Sequence, residues 1–299
     1  MENVIIHNKP KKKGNLPLAL VGGICLLFGF GILLFMPLVW HQANAKHPAA
    51  LFSELELLAL PLSIVGIVFL SIFSPLRGRR MLWLFFLSQI PLTLLSIIAA
   101  INTRAHIAGN WIAITSETLV FIPVLGVLYF LAYRAVRKYN VIPPFSWHYF
   151  RWGRAFIGAA MLLGSEFLIS FIAEIITHSS GGTSQNQQTL NTLAIQVPYL
   201  IYTLTTISAG FFEELLFRVG SFEILLKKHK IWAFIVASVF FTIAHGPTKL
   251  TDVFAYGALA LILTGFYAKY RNFYLNMTMH MLLNLVATGA FWLSLILHH

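Results

Sequence analysis

Charge is what this sequence lacks. Only 10% of its 299 residues are Asp, Glu, Lys or Arg, against roughly 25% in soluble domains. Hydrophobic residues make up 58% of the chain, and the mean hydropathy is +0.77. A soluble globular fold is excluded. Cysteine is nearly absent as well: Cys25 stands alone, which rules out an intrachain disulfide framework and thiolate metal clusters and leaves that residue as a small apolar side chain. Alternating ten-residue segments of the kind a spanning barrel needs are missing. The apolar runs are instead continuous and about 20 residues long. The expected fold class is therefore all-α, a polytopic membrane bundle of eight or nine transmembrane helices. No cleavable-signal pattern is expected, because the lysines at 9 and 11–13 precede an apolar run of about 25 residues, too long for a signal h-region. No internal repeat of the kind found in inverted-repeat transporters is visible.

What is present is a succession of spans. Hydropathy places nine, at about 16–40, 55–74, 81–101, 111–133, 155–177, 190–219, 231–245, 253–270 and 273–297. The seventh is short for a full crossing, and Pro61, Pro91, Pro123 and Pro198 inside spans read as kinks. A formal net charge of +11 could suggest nucleic acid, but its distribution does not. With the N-terminus cytoplasmic, 18 of the 21 basic residues fall in inside segments. Only Lys46, Arg104 and Lys249 fall outside. The basic charge is topological, as the positive-inside rule requires, and the expected surroundings are the lipid bilayer rather than nucleic acid. Residues 134–154 read as an interfacial aromatic-basic segment. Residues 178–189, rich in Ser and Gln, read as an uncharged external loop. Two parts are expected: N-terminal transmembrane helices over 1–154, and a motif-bearing core over 155–299. Unusual polar residues are expected only in the last four spans, with Glu117 the one deep acid of the first four.

The sixth span contains Phe211-Phe212-Glu213-Glu214-Leu215-Leu216-Phe217-Arg218. Buried charge costs several kcal/mol unless paired, so ionisable groups at membrane depth are functional candidates. Neighbours on an α-helix point about 100° apart, whereas residues four apart share a face. Glu214 and Arg218 are thus partners, and Glu213 faces elsewhere. Either the stretch is an ion pair plus a helix-terminal acid, or it is a structural clamp beside a free, reactive carboxylate. The seventh span ends Phe240-Phe241-Thr242-Ile243-Ala244-His245, and the ninth holds His280 and Asn284 on one face. A lone histidine is commonly a cap, and an Asn in a membrane helix is commonly interhelical glue. Counting at 1.5 Å per residue from the basic cytoplasmic flanks puts Glu213 roughly 21 Å deep, His245 roughly 22 Å, and His280 and Asn284 roughly 12 and 18 Å. The four can occupy one layer of the bundle.

In that order, Glu213-Glu214-x-x-x-Arg218, Phe241-x-x-x-His245 and His280-x-x-x-Asn284 resemble the motifs of the CPBP (Abi, or CAAX-protease and bacteriocin-processing) intramembrane proteases, the family of the type II CAAX prenyl endopeptidases. Ser238 and Gly265-Phe266-Tyr267 also look like family positions, and the resemblance covers about 190–290. It implies an endopeptidase acting on membrane-associated peptides or proteins. Its catalytic residues would be Glu213, Glu214, His245, His280 and Asn284, supported by Arg218 and Phe241. In that reading Glu213 is general base to a water also held by His245, while His280 and Asn284 face the oxyanion. Arg218 neutralises Glu214, and Phe241 fixes the His245 ring. The metal question stays open: Glu213, His245 and His280 are a legitimate zinc set, yet no His-Glu-x-x-His helix is present and Asn284 is a poor zinc ligand. A metal-free, glutamate-dependent site is the expectation. A bacterial plasma-membrane location is also expected, with leader-peptide processing or bacteriocin self-immunity among the family's roles. The alternative is a non-enzymatic transporter or immunity scaffold with a structural polar cluster.

Overall fold

The computed structural model describes residues 15, 17–25, 66, 76–137, 140–177 and 184–297. The chain divides into two compact units, residues 1–33 with 46–82, and residues 34–45 with 83–299. In the first unit residues 17–25 are helical. The expected spans at 16–40 and 55–74 otherwise lie outside the described residues.

The second unit is a helical bundle, and among the described residues all regular structure is helical. It takes α1 (Leu76–Ala105) from Trp83 onward, then α2 (Trp111–Arg137), a single 3-10 turn at Trp147–Phe150, and α3 (Trp152–Thr177). After these come α4 (Gln185–Ala194), α5 (Tyr199–Glu213), α6 (Lys230–Ala244), α7 (Leu250–Tyr270) and α8 (Phe273–Leu297). Among the described residues six segments are long and apolar enough to cross a membrane: Gly78–Ala105, Trp111–Arg137, Trp147–Ile175, Tyr199–Leu225, Leu250–Tyr270 and Phe273–Leu297. With the shorter apolar Lys230–Ala244, these match the third to ninth expected spans, and the protein is an all-α multi-pass membrane protein.

Three details differ from the sequence reading. The sixth span starts at Tyr199, not at 190. The apolar residues before it belong to α4 and to a break at Ile195–Pro198, because Pro198 has no N–H to give and restricts the residue before it. The described end of the expected external loop is helix from Gln185, its N-terminus capped by Ser184 Oγ accepting from the Gln187 N–H at 3.2 Å. After Glu213 the helix does not end but widens, continuing as π-helix over Glu214–Leu225. The Leu226 N–H reaches back five residues to the Ser221 carbonyl at 2.9 Å. Such widened turns are rare and recur at functional sites; nothing in the apolar periodicity announces this one. Finally, polar residues are not confined to the last four spans, since Glu166 lies midway along α3.

Packing fixes the helices that matter. α8 lies against α5 and α3, and α7 lies against α6 and α3. Gly210 lets α5 approach α8 closely: a Cβ there would sit 2.8 Å from the Met281 backbone nitrogen. Thr206 Oγ1 and Thr288 Oγ1, 3.0 Å apart, join the same pair of helices. The expected interfacial segment is an aromatic cluster in which Phe150 stacks on Tyr274 at 5.5 Å. It is tied to the start of α8 by Asn272 Nδ2 donating to the Tyr149 carbonyl at 2.7 Å. Glu117 proves structural, accepting at 3.2 Å from Asn102 Nδ2, which also donates to the Gln196 carbonyl at 3.0 Å.

Candidate active site

Adjacent glutamates at the junction of α5 and its π-helical extension face opposite fates. Glu214 is fully enclosed, with its side chain 0% exposed, and so is Arg218. Arg218 Nη1 donates to Glu214 Oε1 at 3.0 Å, the pairing expected from their spacing. His280 Nδ1 meets the same oxygen at 2.9 Å, and Asn276 Nδ2 donates to the other oxygen at 3.2 Å. Asn276 also donates to the Leu263 carbonyl at 2.6 Å, so it links α8, α7 and the π-helix. The Arg218 guanidinium lies 4.4 Å above the Phe241 ring centre, a cation–π arrangement favoured in a desolvated site. Arg218, counted above among the inside basic residues, is inside the protein and carries no topological information.

Glu213 faces the other way, as the helical spacing predicts, and its side chain keeps 24% exposure. Its Oε2 is 3.9 Å from His245 Nε2 and 3.9 Å from His280 Nε2. Neither distance is a hydrogen bond, and among the described residues this buried oxygen has no partner. Each imidazole is oriented from behind. His245 Nδ1 lies 2.7 Å from the Phe241 carbonyl oxygen; that oxygen can only accept, so Nδ1 carries the hydrogen. By the same logic the His280 Nδ1–H goes to the Glu214 carboxylate. Phe241 also packs on the His245 ring at 4.4 Å between centroids. It therefore contacts the clamp on one side and the reactive histidine on the other.

The structure thus brings Glu213, Glu214, Arg218, Phe241, His245 and His280 into one cluster. Asn284 is engaged elsewhere: its Nδ2 donates to the Thr206 carbonyl at 2.8 Å, bracing α8 against α5 one turn below His280. Of the other family-like positions, Tyr267 sits outside the cluster and donates to Glu223 at 3.4 Å, beside the Glu223–Arg271 ion pair of 2.9 Å. Two residues of the site escape the sequence reading. Asn276 precedes His280 by four, so Asn276, His280 and Asn284 form one stripe, a signal visible in the sequence. Tyr256 carries no such signal. Its ring stacks on His245 at 4.5 Å and 27°, and its hydroxyl is held by Ser184 Oγ at 2.8 Å and Asn186 Nδ2 at 3.3 Å.

The donor chemistry suits a metal such as zinc. Each histidine has its Nδ1–H anchored to an oxygen, the arrangement that frees Nε2 for coordination, and Glu213 Oε2 is an orphaned carboxylate oxygen. As the side chains stand, no three His, Cys, Asp or Glu groups among the described residues close to metal-holding distance.

Residues 195–286, which hold this cluster, match the family described as type II CAAX prenyl endopeptidase Rce1-like. The chain is also similar to UPF0177 protein YvdC of Lactococcus lactis subsp. lactis (strain IL1403), at 38% identity over 229 residues. The alignment covers 76% of this chain and 81% of that protein. No solved structure matches the chain. Three motifs meeting around one partnerless carboxylate, inside a segment that matches the family, lead to one conclusion: this chain belongs to the CPBP family, the group that includes the type II CAAX prenyl endopeptidases.

Proposed function

We propose that this protein is an intramembrane endopeptidase that cuts membrane-associated peptides or proteins with a water activated between Glu213 and His245. The observation that carries the reading is Glu213 Oε2, buried, without a partner, and 3.9 Å from two imidazole nitrogens. An unsatisfied buried acceptor costs about 1–3 kcal/mol, a cost that a water held between this oxygen and His245 Nε2 would remove. The neighbouring Glu214, which is structural, has all its neighbours donating to it.

A water hydrogen-bonded at about 2.8 Å to both Glu213 Oε2 and His245 Nε2 fits their separation. Both partners accept, so both water hydrogens are held and an oxygen lone pair is left to attack the peptide carbonyl. Glu213 takes one proton as the C–O bond forms. It returns that proton to the leaving nitrogen as the C–N bond breaks, giving an amine and a carboxylic acid that retains the second water hydrogen. His280 can donate from Nε2 to the oxyanion only as an imidazolium, since its Nδ1–H is committed to Glu214. In that form Glu213, Glu214, Arg218 and His280 sum to zero charge, the balance a buried cluster favours. Asn284, committed to the Thr206 carbonyl, braces the helix that carries His280. A zinc ion, when bound, would be held by Glu213, His245 and His280 and would supply Lewis acidity to a water.

We place the protein in a bacterial plasma membrane with a cytoplasmic N-terminus, on the asymmetry of basic residues. Leader-peptide processing or self-immunity to a bacteriocin is the biological role this chemistry fits. The test is to incubate purified protein in liposomes with a proteome-derived peptide mixture in oxygen-18 water and map new termini by mass spectrometry. Labelled new carboxylates that are missing with Glu213→Gln support hydrolysis. Solute flux with no new termini overturns it in favour of a transporter.

A further inference from the structure

His245 stands where a helix gives it little support. It is the C-terminal cap of α6, with φ −84° and ψ 4°, and the chain leaves the helix at once through Gly246 at φ +57°. Helix ends fray, and the His245 backbone N–H reaches the Thr242 carbonyl only at 3.3 Å. The imidazole is fixed instead by its surroundings: the Phe241 carbonyl at 2.7 Å, the Phe241 ring at 4.4 Å and the Tyr256 ring at 4.5 Å. Phe241 belongs to the same helix end. Tyr256 comes from α7, which packs on α6 at this level, a Cβ on Gly257 falling 4.0 Å from Thr242 Oγ1.

Tyr256 is itself held at its far end. Among the described residues its hydroxyl bonds only to the start of α4, to Ser184 Oγ at 2.8 Å and to Asn186 Nδ2, which donates at 3.3 Å. Ser184 Oγ is also the oxygen that caps α4 by accepting the Gln187 N–H. One atom therefore secures both the helix and the tyrosine. The other end of α4 is tied down where Asn102 Nδ2 donates to the Gln196 carbonyl at 3.0 Å.

We propose that Ser184 and Asn186 are positioning residues for the peptidase reaction. Through the Tyr256 hydroxyl they hold its ring in the stack on His245, and so keep His245 Nε2 aimed at the water shared with Glu213. A tyrosine anchored only at its backbone can swing about two side-chain torsions; a hydroxyl fixed at the far end stops that swing. The stack sets the plane of the imidazole, and the Nδ1–H bond to Phe241 sets its rotation within that plane. Together they point Nε2 to one place. The distribution of basic residues puts the start of α4 outside, so the reactive histidine is held from the extracytoplasmic end of the bundle, and unwinding the first turn of α4 releases it. The inference rests on the peptidase reading.

A double-mutant cycle tests it in the full-length protein in liposomes. Asn186→Ala cuts the latch and leaves the cap of α4 intact, while Ser184→Ala removes both. Each is expected to lower kcat on one mapped peptide by about three- to fivefold with KM unchanged. Added to Tyr256→Phe, which already lacks the hydroxyl, Asn186→Ala is expected to cost nothing further. Ser184→Thr keeps a hydroxyl and is expected to recover the rate lost in Ser184→Ala. Carbethoxylation of His245 by diethyl pyrocarbonate, mapped by mass spectrometry, is expected to run faster in Asn186→Ala and Ser184→Ala than in wild type. Unchanged kcat, unchanged labelling of His245 in both variants, or a loss from Asn186→Ala that multiplies with that of Tyr256→Phe overturns the proposal. Failure of the peptidase reading would appear separately, as unchanged cleavage by Glu213→Gln in the mapping experiment, and the labelling needs no cleavage.

Discussion

Gly210→Ala perturbs the site without touching a polar atom. Gly210 is on α5, three residues before Glu213, and faces α8 where His280 begins its turn. The new Cβ would lie 2.8 Å from both the backbone nitrogen and Cγ of Met281, and 3.2 Å from the His280 carbonyl carbon. Ordinary contact begins at 3.4 Å, so the helices must separate by about 0.6 Å, and backbone cannot swing aside as a side-chain tip can. A movement of that size takes the His280–Glu214 contact from 2.9 Å to about 3.5 Å, the outer limit of a hydrogen bond. It also widens the spacing of Glu213 from His280. Overpacking of this kind costs about 1–3 kcal/mol, and misplacing a catalytic group by a fraction of an ångström costs roughly 10- to 100-fold in rate. The assay compares cleavage in liposomes with thermal melting of the same preparations. Gly158→Ala is the control: it meets the flexible thioether of Met279, which can find another rotamer, so its loss of rate should be smaller. If Gly210→Ala melts and cleaves like the parent, the close approach of α5 and α8 does not set the site.

Removing Arg218 as Arg218→Ala leaves Glu214 enclosed beside one histidine. A broken buried pair costs about 3–5 kcal/mol, so the variant should accumulate poorly in membranes, which immunoblotting of membrane fractions would show. Tyr256→Phe keeps the ring stacked on His245 but cuts it from Ser184 and Asn186, whereas Tyr256→Leu loses the ring. Cleavage should fall modestly for the first and about tenfold or more for the second, and equal rates would deny the ring a positioning role. Purified protein treated with a chelator and shown by elemental analysis to be metal-free should keep full activity; loss of activity restored by zinc would move Glu213, His245 and His280 to the role of ligands.

How much of this was legible in the sequence differs by level. The membrane-helical class followed from the charge deficit and run length, because lipid leaves the backbone few alternatives. The division of Glu213 from Glu214 followed from helical spacing alone, and the depth count correctly gathered Glu213, His245 and His280. The depth count could not orient Asn284, since a residue at the right level can still point at a neighbouring backbone, as Asn284 does at Thr206. Nor could it show the π-helix over Glu214–Leu225, which leaves no mark on the apolar period. Tyr256 reaches His245 only through the packing of α6 against α7, a non-local relation no single span encodes. Glu166 was visible as an acid in the middle of an apolar run and went unread because the motifs lay elsewhere.

The central claim is that Glu213 activates the attacking water. It is tested most directly by single-turnover cleavage of one mapped peptide in liposomes by wild type and by Glu213→Gln, which keeps the shape and removes the base. The expected result is a rate lower by about 100-fold or more, with unchanged melting and unchanged peptide affinity. A Glu213→Gln protein that cleaves at the wild-type rate contradicts the account.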